Sequence, residues 1–357
     1  MTRLLDRLEF RHGPAMANRF MLAPLTNTQS HPDGRLSDDE YRWLTMRAEG
    51  GFGLTMTCAA HVQAGGQGFP GQLGIYSDAH LEGLTRLAAG IRRAGSLAAV
   101  QLHHAGLRSP KALVGTPVAP SADAETGARE LTLAEIGQLV EDFVAAAVRA
   151  ERAGFDGVEL HGAHGYVLCS FLSPETNRRT DAYGGPLANR ARILFEIVAG
   201  IRARCRGDLQ VGVRLSPERF GLRTPEVAEV AQRLMREADI DYIDMSLWDV
   251  FKAPMDESLQ GRSLWSIFDS LERGAVRLGV AGKIMSAADA ARCLEAGADF
   301  VTIGRAAILR HDFPRRAAAD PAYVSPDLPV PAGHLAAEGL GPAFVDYMRS
   351  WKGFVAD

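Results

Sequence analysis

An alternation of short apolar runs with amphipathic stretches predicts an α/β fold, a (β/α)8 TIM barrel. Three observations carry that expectation. Eight strand-like runs rich in Val, Ile and Leu recur along the chain, and most are followed by a helical pattern. Polar and glycine residues collect where those runs end, the rim at which barrels of this class place their chemistry. No Gly-x-Gly-x-x-Gly turn follows the first strand, as a doubly wound dinucleotide-binding sheet would require.

The strands are expected at 19–23, 53–58, 96–102, 157–161, 210–215, 242–245, 277–280 and 300–303. Between them lie helical patterns at 38–50, 78–94, 131–153, 187–204, 225–238 and 286–296. The third opens with Thr132-x-x-Glu135, a capping box that satisfies two orphan amides, and the last with Ser286-x-x-Asp289. Residues 1–320 are assigned to the barrel, its first eighteen residues forming a lid beneath it. Residues 321–357 form a C-terminal extension whose end, Tyr347-Met-Arg349-Ser-Trp351, is too apolar for a free tail.

Composition narrows the function classes. In 357 residues, 46% are hydrophobic and 23% charged, the balance of a globular protein, and the formal net charge is −4. The basic footprint of a nucleic-acid binder is missing. No apolar run approaches the ~18 residues of a membrane span. Cys58, Cys169, Cys205 and Cys293 stand apart, excluding the spacing of zinc ribbons and iron–sulfur sites. Met1–Phe10 carries charges throughout rather than a secretory pattern, so a cytoplasmic location is expected.

The strand ends supply the candidate chemistry. The fourth runs into His161-Gly-Ala-His164-Gly-Tyr166. Gly162 and Gly165 let the chain curl there, so both imidazoles can face one spot as donors to a carbonyl oxygen or oxyanion. Two other readings stand beside it: two core histidines, or two ligands of a metal, the latter lacking a third ligand and the carboxylate of a His-Glu-x-x-His motif. Tyr166 is either a proton donor, its phenol being protonated at neutral pH, or an ordinary buried tyrosine. Arg214, at the fifth strand end, aims a permanent charge into the rim. Gly282 and Gly304 follow the last two strands, and Arg305 adds a guanidinium, which suits a phosphate; the alternative is that both are turn glycines only. The polar stretch 173–185 is either a functional loop or a well-bonded connection.

With these residues in place, the chain resembles the Old Yellow Enzyme family of FMN-dependent ene-reductases. The likeness runs from about Asn18 to Arg316. Its most specific piece is His161-Gly-Ala-His164-Gly-Tyr166 followed by Phe171-Leu-Ser-Pro174, Asn177, Asp181-x-Tyr183-Gly-Gly and Asn189-Arg190. The resemblance implies FMN as cofactor and NADPH or NADH as reductant. It implies that Pro24, Thr26 and Ala59 line the isoalloxazine ring, with Thr26 near its O4/N5 edge and Gln101 bonded to its pyrimidine part. Arg214 would lie by N1 and O2, and Gly282, Gly304 and Arg305 would hold the phosphate. His161 and His164 would grip the carbonyl of an enone-type small-molecule substrate and Tyr166 would protonate it. The aromatic end resembles a finger that carries an arginine, here Arg349, into a neighbouring subunit's site, implying a homodimer or dimer of dimers.

Departures from the family pattern bear on substrate choice: Thr28 where a tyrosine is frequent, Tyr76 where a tryptophan is, and His103, Leu107 and Arg108 after the third strand in place of Gly, Arg and Lys. Ser170 and Ala188 replace a common Gln and Glu. The cysteine cluster and second nucleotide-binding half of multi-domain relatives are absent from the sequence, so a single-domain architecture is expected. Two further functions remain open at this point: an FMN-dependent dehydrogenase or demethylase of small amines or betaines, and a flavin-binding protein without turnover.

Overall fold

The computed structural model describes residues 3–356. Eight parallel strands close into a barrel in sequence order: β1 (Phe20–Leu22), β2 (Leu54–His61), β3 (Leu97–His103), β4 (Gly157–Gly162), β5 (Gln210–Leu215), β6 (Tyr242–Ser246), β7 (Arg277–Ala281) and β8 (Phe300–Ile303). β8 pairs with β1 in register Phe20↔Val301 to Leu22↔Ile303 and shuts the cylinder. Every expected strand is present. β2 continues three residues beyond Cys58, past an irregularity between Met56 and Ala59 where its pairing with β3 shifts. Polar His61 and His103 therefore still belong to strands, although their side-chain chemistry reads as loop.

The strands are buried on both faces, as a parallel sheet enclosed by helices must be. Outside lie α1 (Asp38–Glu49), α2 (Leu81–Arg93), α3 (Leu133–Arg152), α4 (Leu187–Arg204), α5 (Thr224–Glu237), α6 (Leu264–Asp269) and α7 (Ala287–Glu295). The caps read from sequence form as written. Thr132 Oγ1 accepts from Glu135 N and the Glu135 carboxylate accepts from Thr132 N, while Ser286 Oγ accepts from Asp289 N.

Inside the barrel, side chains stack in layers. The lower layer is apolar: Met21, Met56, Ala99, Tyr242 and Phe300, covered from below by Leu8 and Met16. Glycine makes room for its two rings. A Cβ at Gly212 would fall 2.1 Å from Tyr242, and one at Gly279 would fall 2.0 Å from Phe300. The layer above is polar and buried: Gln101, Glu159, Arg214, Asp244 and Thr302, of which Arg214 and Thr302 reach the cavity at the barrel mouth. Charged side chains enter a protein interior only at a desolvation cost, so this layer marks where the barrel stops serving stability and starts serving a site.

The C-terminal segment docks on its own barrel. In α8 (Pro342–Arg349), Phe344 is buried against Trp43 of α1, edge to face at 4.8 Å. Arg47, wholly buried, donates to the carbonyls of Ala307 and Glu338 and so ties α1, the end of the barrel and this segment together. Among the described residues no helix is long and apolar enough to cross a membrane.

Candidate active site

The strand ends converge on one cavity of about 290 Å³ at the C-terminal mouth. Its wall includes Pro24, His164, Arg214, Gly282, Gly304 and Arg305, all expected from sequence, together with Ser246, Lys283 and Trp351, which were not. Ala59 and Gln101 are partners in the β2–β3 register, and His161 and Tyr166 pack against each other at 4.9 Å; none of the four lines the cavity itself. Thr26 is half-buried in the loop after β1. Arg349 stands apart: it lines a separate surface hollow with Ala332 and Val345 and pairs with Asp346 at 2.6 Å.

The histidine motif curls as its glycines require. β4 ends at Gly162, and His164 and Gly165 follow with φ of 61° and 73°. That left-handed pair brings the two imidazoles together edge to face, centroids 5.0 Å apart, with His161 Nε2 3.3 Å from His164 Nδ1. The turn is pinned by His164 N, which donates to Ser216 Oγ at 3.0 Å, and by Arg108, which donates to the His164 carbonyl. Tyr166 lies edge-to-face with His161 at 4.9 Å and His103 at 4.4 Å.

The electrostatics keep these rings neutral. Burial pulls His161 far below the ordinary imidazole value, and the neighbouring His164, His103, Arg214 and Arg108 add to it. Burial, then Arg214 and Arg108, bring His164 down to about 3. Burial pushes the Tyr166 phenol up, against the opposing pull of Arg108, whose guanidinium sits 4.8 Å from the ring centre. At neutral pH the site therefore offers imidazole N–H donors and a protonated phenol rather than cations.

Two carboxylates lie under the cavity. Gln101 Nε2 donates to Glu159 Oε1 at 2.7 Å, and Thr302 Oγ1 donates to Asp244 Oδ1 at 3.1 Å. Arg214 Nε lies 3.0 Å from Asp244 Oδ2 but out of line for a hydrogen bond. With two acids and one guanidinium shut from water, burial and then the Asp244 charge push Glu159 up to about 8, so it keeps its proton. Burial raises Asp244 too, with Arg214 pulling against it. Sequence reading missed both acids. Their signal was a lone carboxylate inside an otherwise apolar strand, in Val158-Glu-Leu160 and Ile243-Asp-Met245.

The stretch 173–185, by contrast, is a connection. Asn177 Nδ2 donates to the carbonyls of Phe171 and Tyr183 at 2.7 Å, and Arg179 reaches those of Pro120 and Leu131 while pairing with Asp181.

The sequence profile of the NADH:flavin oxidoreductase / NADH oxidase family matches residues 9–322. The chain belongs to that family. The probable NADH-dependent flavin oxidoreductase YqiG of Bacillus subtilis (strain 168) is 36% identical over 314 residues, 85% of this chain and 84% of that one. The NADH:acrylate oxidoreductase of Vibrio harveyi is 30% identical over 90% of this chain, which spans 33% of that longer protein. The Old Yellow Enzyme homologue from Zymomonas mobilis superposes with a TM-score of 0.80 at 29% identity, covering 96% of this chain and 99% of that one. The chain is thus an Old Yellow Enzyme-type oxidoreductase that uses FMN and NAD(P)H.

The residues present fit the flavin. Gln101 Oε1 and Arg214 Nε are buried polar atoms without a hydrogen-bond partner. Gly304 leaves a cradle: a Cβ there would meet only Leu25 at 3.7 Å and Ala23 at 3.9 Å. Arg305 lines the same cavity, as does Lys283, whose ammonium pairs with Asp249 at 2.9 Å.

Proposed function

We propose that this enzyme reduces the C=C bond of α,β-unsaturated carbonyl compounds. The observation that carries the reading is the pair of neutral imidazoles, His161 Nε2 and His164 Nδ1, facing each other at 3.3 Å beside a protonated Tyr166. A carbonyl oxygen seated at that pair draws electron density from the double bond and leaves its β-carbon electrophilic. FMN, when bound, supplies the hydride it has taken from NAD(P)H. Tyr166 then delivers its proton to the α-carbon; burial keeps that proton on the phenol until a carbanion asks for it.

Under this reading Gln101 and Arg214 hold the pyrimidine edge of the ring, Arg214 supplying positive charge. Pro24, Thr26 and Ala59 lie along the ring, and Gly282, Gly304 and Arg305 grip the phosphate. The Vibrio relative's name, which records an acrylate, supports an activated alkene as substrate.

The test is the two half-reactions followed separately by flavin absorbance in anaerobic stopped flow. Cyclohexenone should reoxidise the reduced enzyme with one solvent deuteron incorporated at Cα in D2O. Tyr166→Phe should slow that step about 100-fold or more while reduction by NAD(P)H changes little. Equal slowing of both halves refutes the role of Tyr166, and no reoxidation by any enone refutes the substrate class.

A further inference from the structure

Neutral imidazoles have one N–H each, so which nitrogen carries it decides what the pair can hold. One contact fixes the direction of the whole chain. The Ala163 backbone N–H can only donate, and it points at His161 Nδ1, 3.4 Å away. His161 Nδ1 is therefore an acceptor and the ring's hydrogen sits on Nε2. That hydrogen points at His164 Nδ1, which must accept it. The hydrogen of His164 is then on Nε2, 2.8 Å from the Ser246 hydroxyl, which accepts.

In this state the pair has no second donor for an oxygen, because His161 spends its N–H on His164. Gripping an oxygen from both sides needs His164 to carry its hydrogen on Nδ1, leaving Nε2 bare. A bare Nε2 held 2.8 Å from a hydroxyl on the half-buried wall of the cavity is satisfied only by a donor. The Ser246 hydroxyl, at the end of β6, is the atom in place to become one by turning its O–H.

We infer that Ser246 is a positioning residue that sets the tautomer of His164, accepting from Nε2–H when the site is empty and donating to Nε2 when an oxygen ligand sits between the imidazoles. Serine suits the role because a hydroxyl can do either, whereas a carbonyl or carboxylate at this point would lock the resting tautomer. The change balances without net charge. His164 takes one proton at Nδ1 and gives up one at Nε2, with solvent water as source and sink and the Ser246 oxygen as the relay at Nε2.

The inference rests on the proposed grip of a substrate oxygen by His161 and His164, and the experiment separates the two. FMN-loaded protein labelled with ¹⁵N-histidine is compared with and without 4-hydroxybenzaldehyde, a phenolate probe, by two-bond ¹H–¹⁵N correlation. His164→Ala assigns the signals. In the native enzyme His164 should pass from the Nε2–H to the Nδ1–H pattern as the probe saturates. Ser246→Ala should bind the probe about tenfold more weakly, the worth of one lost hydrogen bond to the ring nitrogen, and Ser246→Thr should restore it, both variants keeping the flavin spectrum. An unchanged tautomer on probe binding overturns the inference, and so does native affinity in Ser246→Ala. If His164→Ala itself binds the probe as tightly as the native enzyme, the grip fails first. If that variant loses binding while Ser246→Ala keeps it, the failure belongs to Ser246 alone.

Discussion

Glu159 offers the most direct check on the polar layer beneath the site. The carboxyl is wholly buried, and its value rises from the ordinary 4.5 to about 8. Each tenfold in proton affinity is worth about 1.4 kcal/mol, so keeping the acid neutral costs folding on the order of 5 kcal/mol once the pH is well above 8. The sign follows from proton counts. Below about pH 4.5 folded and unfolded chains both hold the proton and there is no penalty. Between there and about 8 only the folded chain holds it, so stability falls as the pH rises; above about 8 the penalty levels off. Buried His161 and His164 act in the opposite sense, costing stability as the pH falls below their unfolded value.

Glu159→Gln removes one term and leaves the others. Its amide can still accept from Gln101 Nε2, so the layer keeps its main contact. Urea unfolding of flavin-stripped protein at pH 5 and pH 8 should then show the variant gaining on the native chain by roughly 3 to 4 kcal/mol between the two, the histidine contributions cancelling in the difference. An infrared difference spectrum supplies the second reading: a carboxylic-acid carbonyl band present at pH 7 in the native protein, absent from Glu159→Gln and fading as the pH passes about 8. A variant-minus-native difference that stays flat with pH, or no such band at pH 7, would refute the reasoning.

The phosphate cradle makes a paired prediction. Gly304→Ala adds a methyl that meets only Leu25 and Ala23, at ordinary contact distance, and should raise the FMN dissociation constant at least tenfold while the flavin-stripped protein melts near the native temperature. Gly282→Ala should lose both affinity and stability, because φ is +150° there and the new Cβ would lie 2.8 Å from Asp249 N; fluorescence titration with FMN and thermal melts read the two effects.

What the sequence made legible follows from what is local. A strand period, a capping box and a glycine-flanked pair of histidines are written within a few residues of one another, and each appears as expected. His161, His164, Arg214, Gly282, Gly304 and Arg305 could be found because a parallel barrel sends every strand end to the same rim. Ser246 ends β6 and lay within reach of the same rule, whereas Trp351 did not, since its place depends on which segments meet across the mouth and no local pattern encodes that. Glu159 and Asp244 were legible in principle. Their strands carry an acid where alternation points it inward, and at Glu159 that signal was outweighed by the histidines two and five residues further on.

Arg349 tests the remaining expectation, that the C-terminal extension serves a neighbouring subunit. In its own chain the side chain is on the protein surface, paired three residues back with Asp346 and away from the cavity, while Trp351 reaches the cavity wall. An exposed i, i+3 pair of this kind is worth less than about 1 kcal/mol. If it enters that copy's site, Arg349→Ala should leave the melting temperature almost unchanged yet raise KM for a carbonyl substrate several-fold. The native enzyme's kcat/KM should also fall on dilution through the dissociation range seen by sedimentation, whereas the variant's should not. Full activity in a chain that sediments as a monomer at assay concentration would refute the shared site, and the extension would then serve its own barrel through Arg47, Glu338 and Phe344 alone.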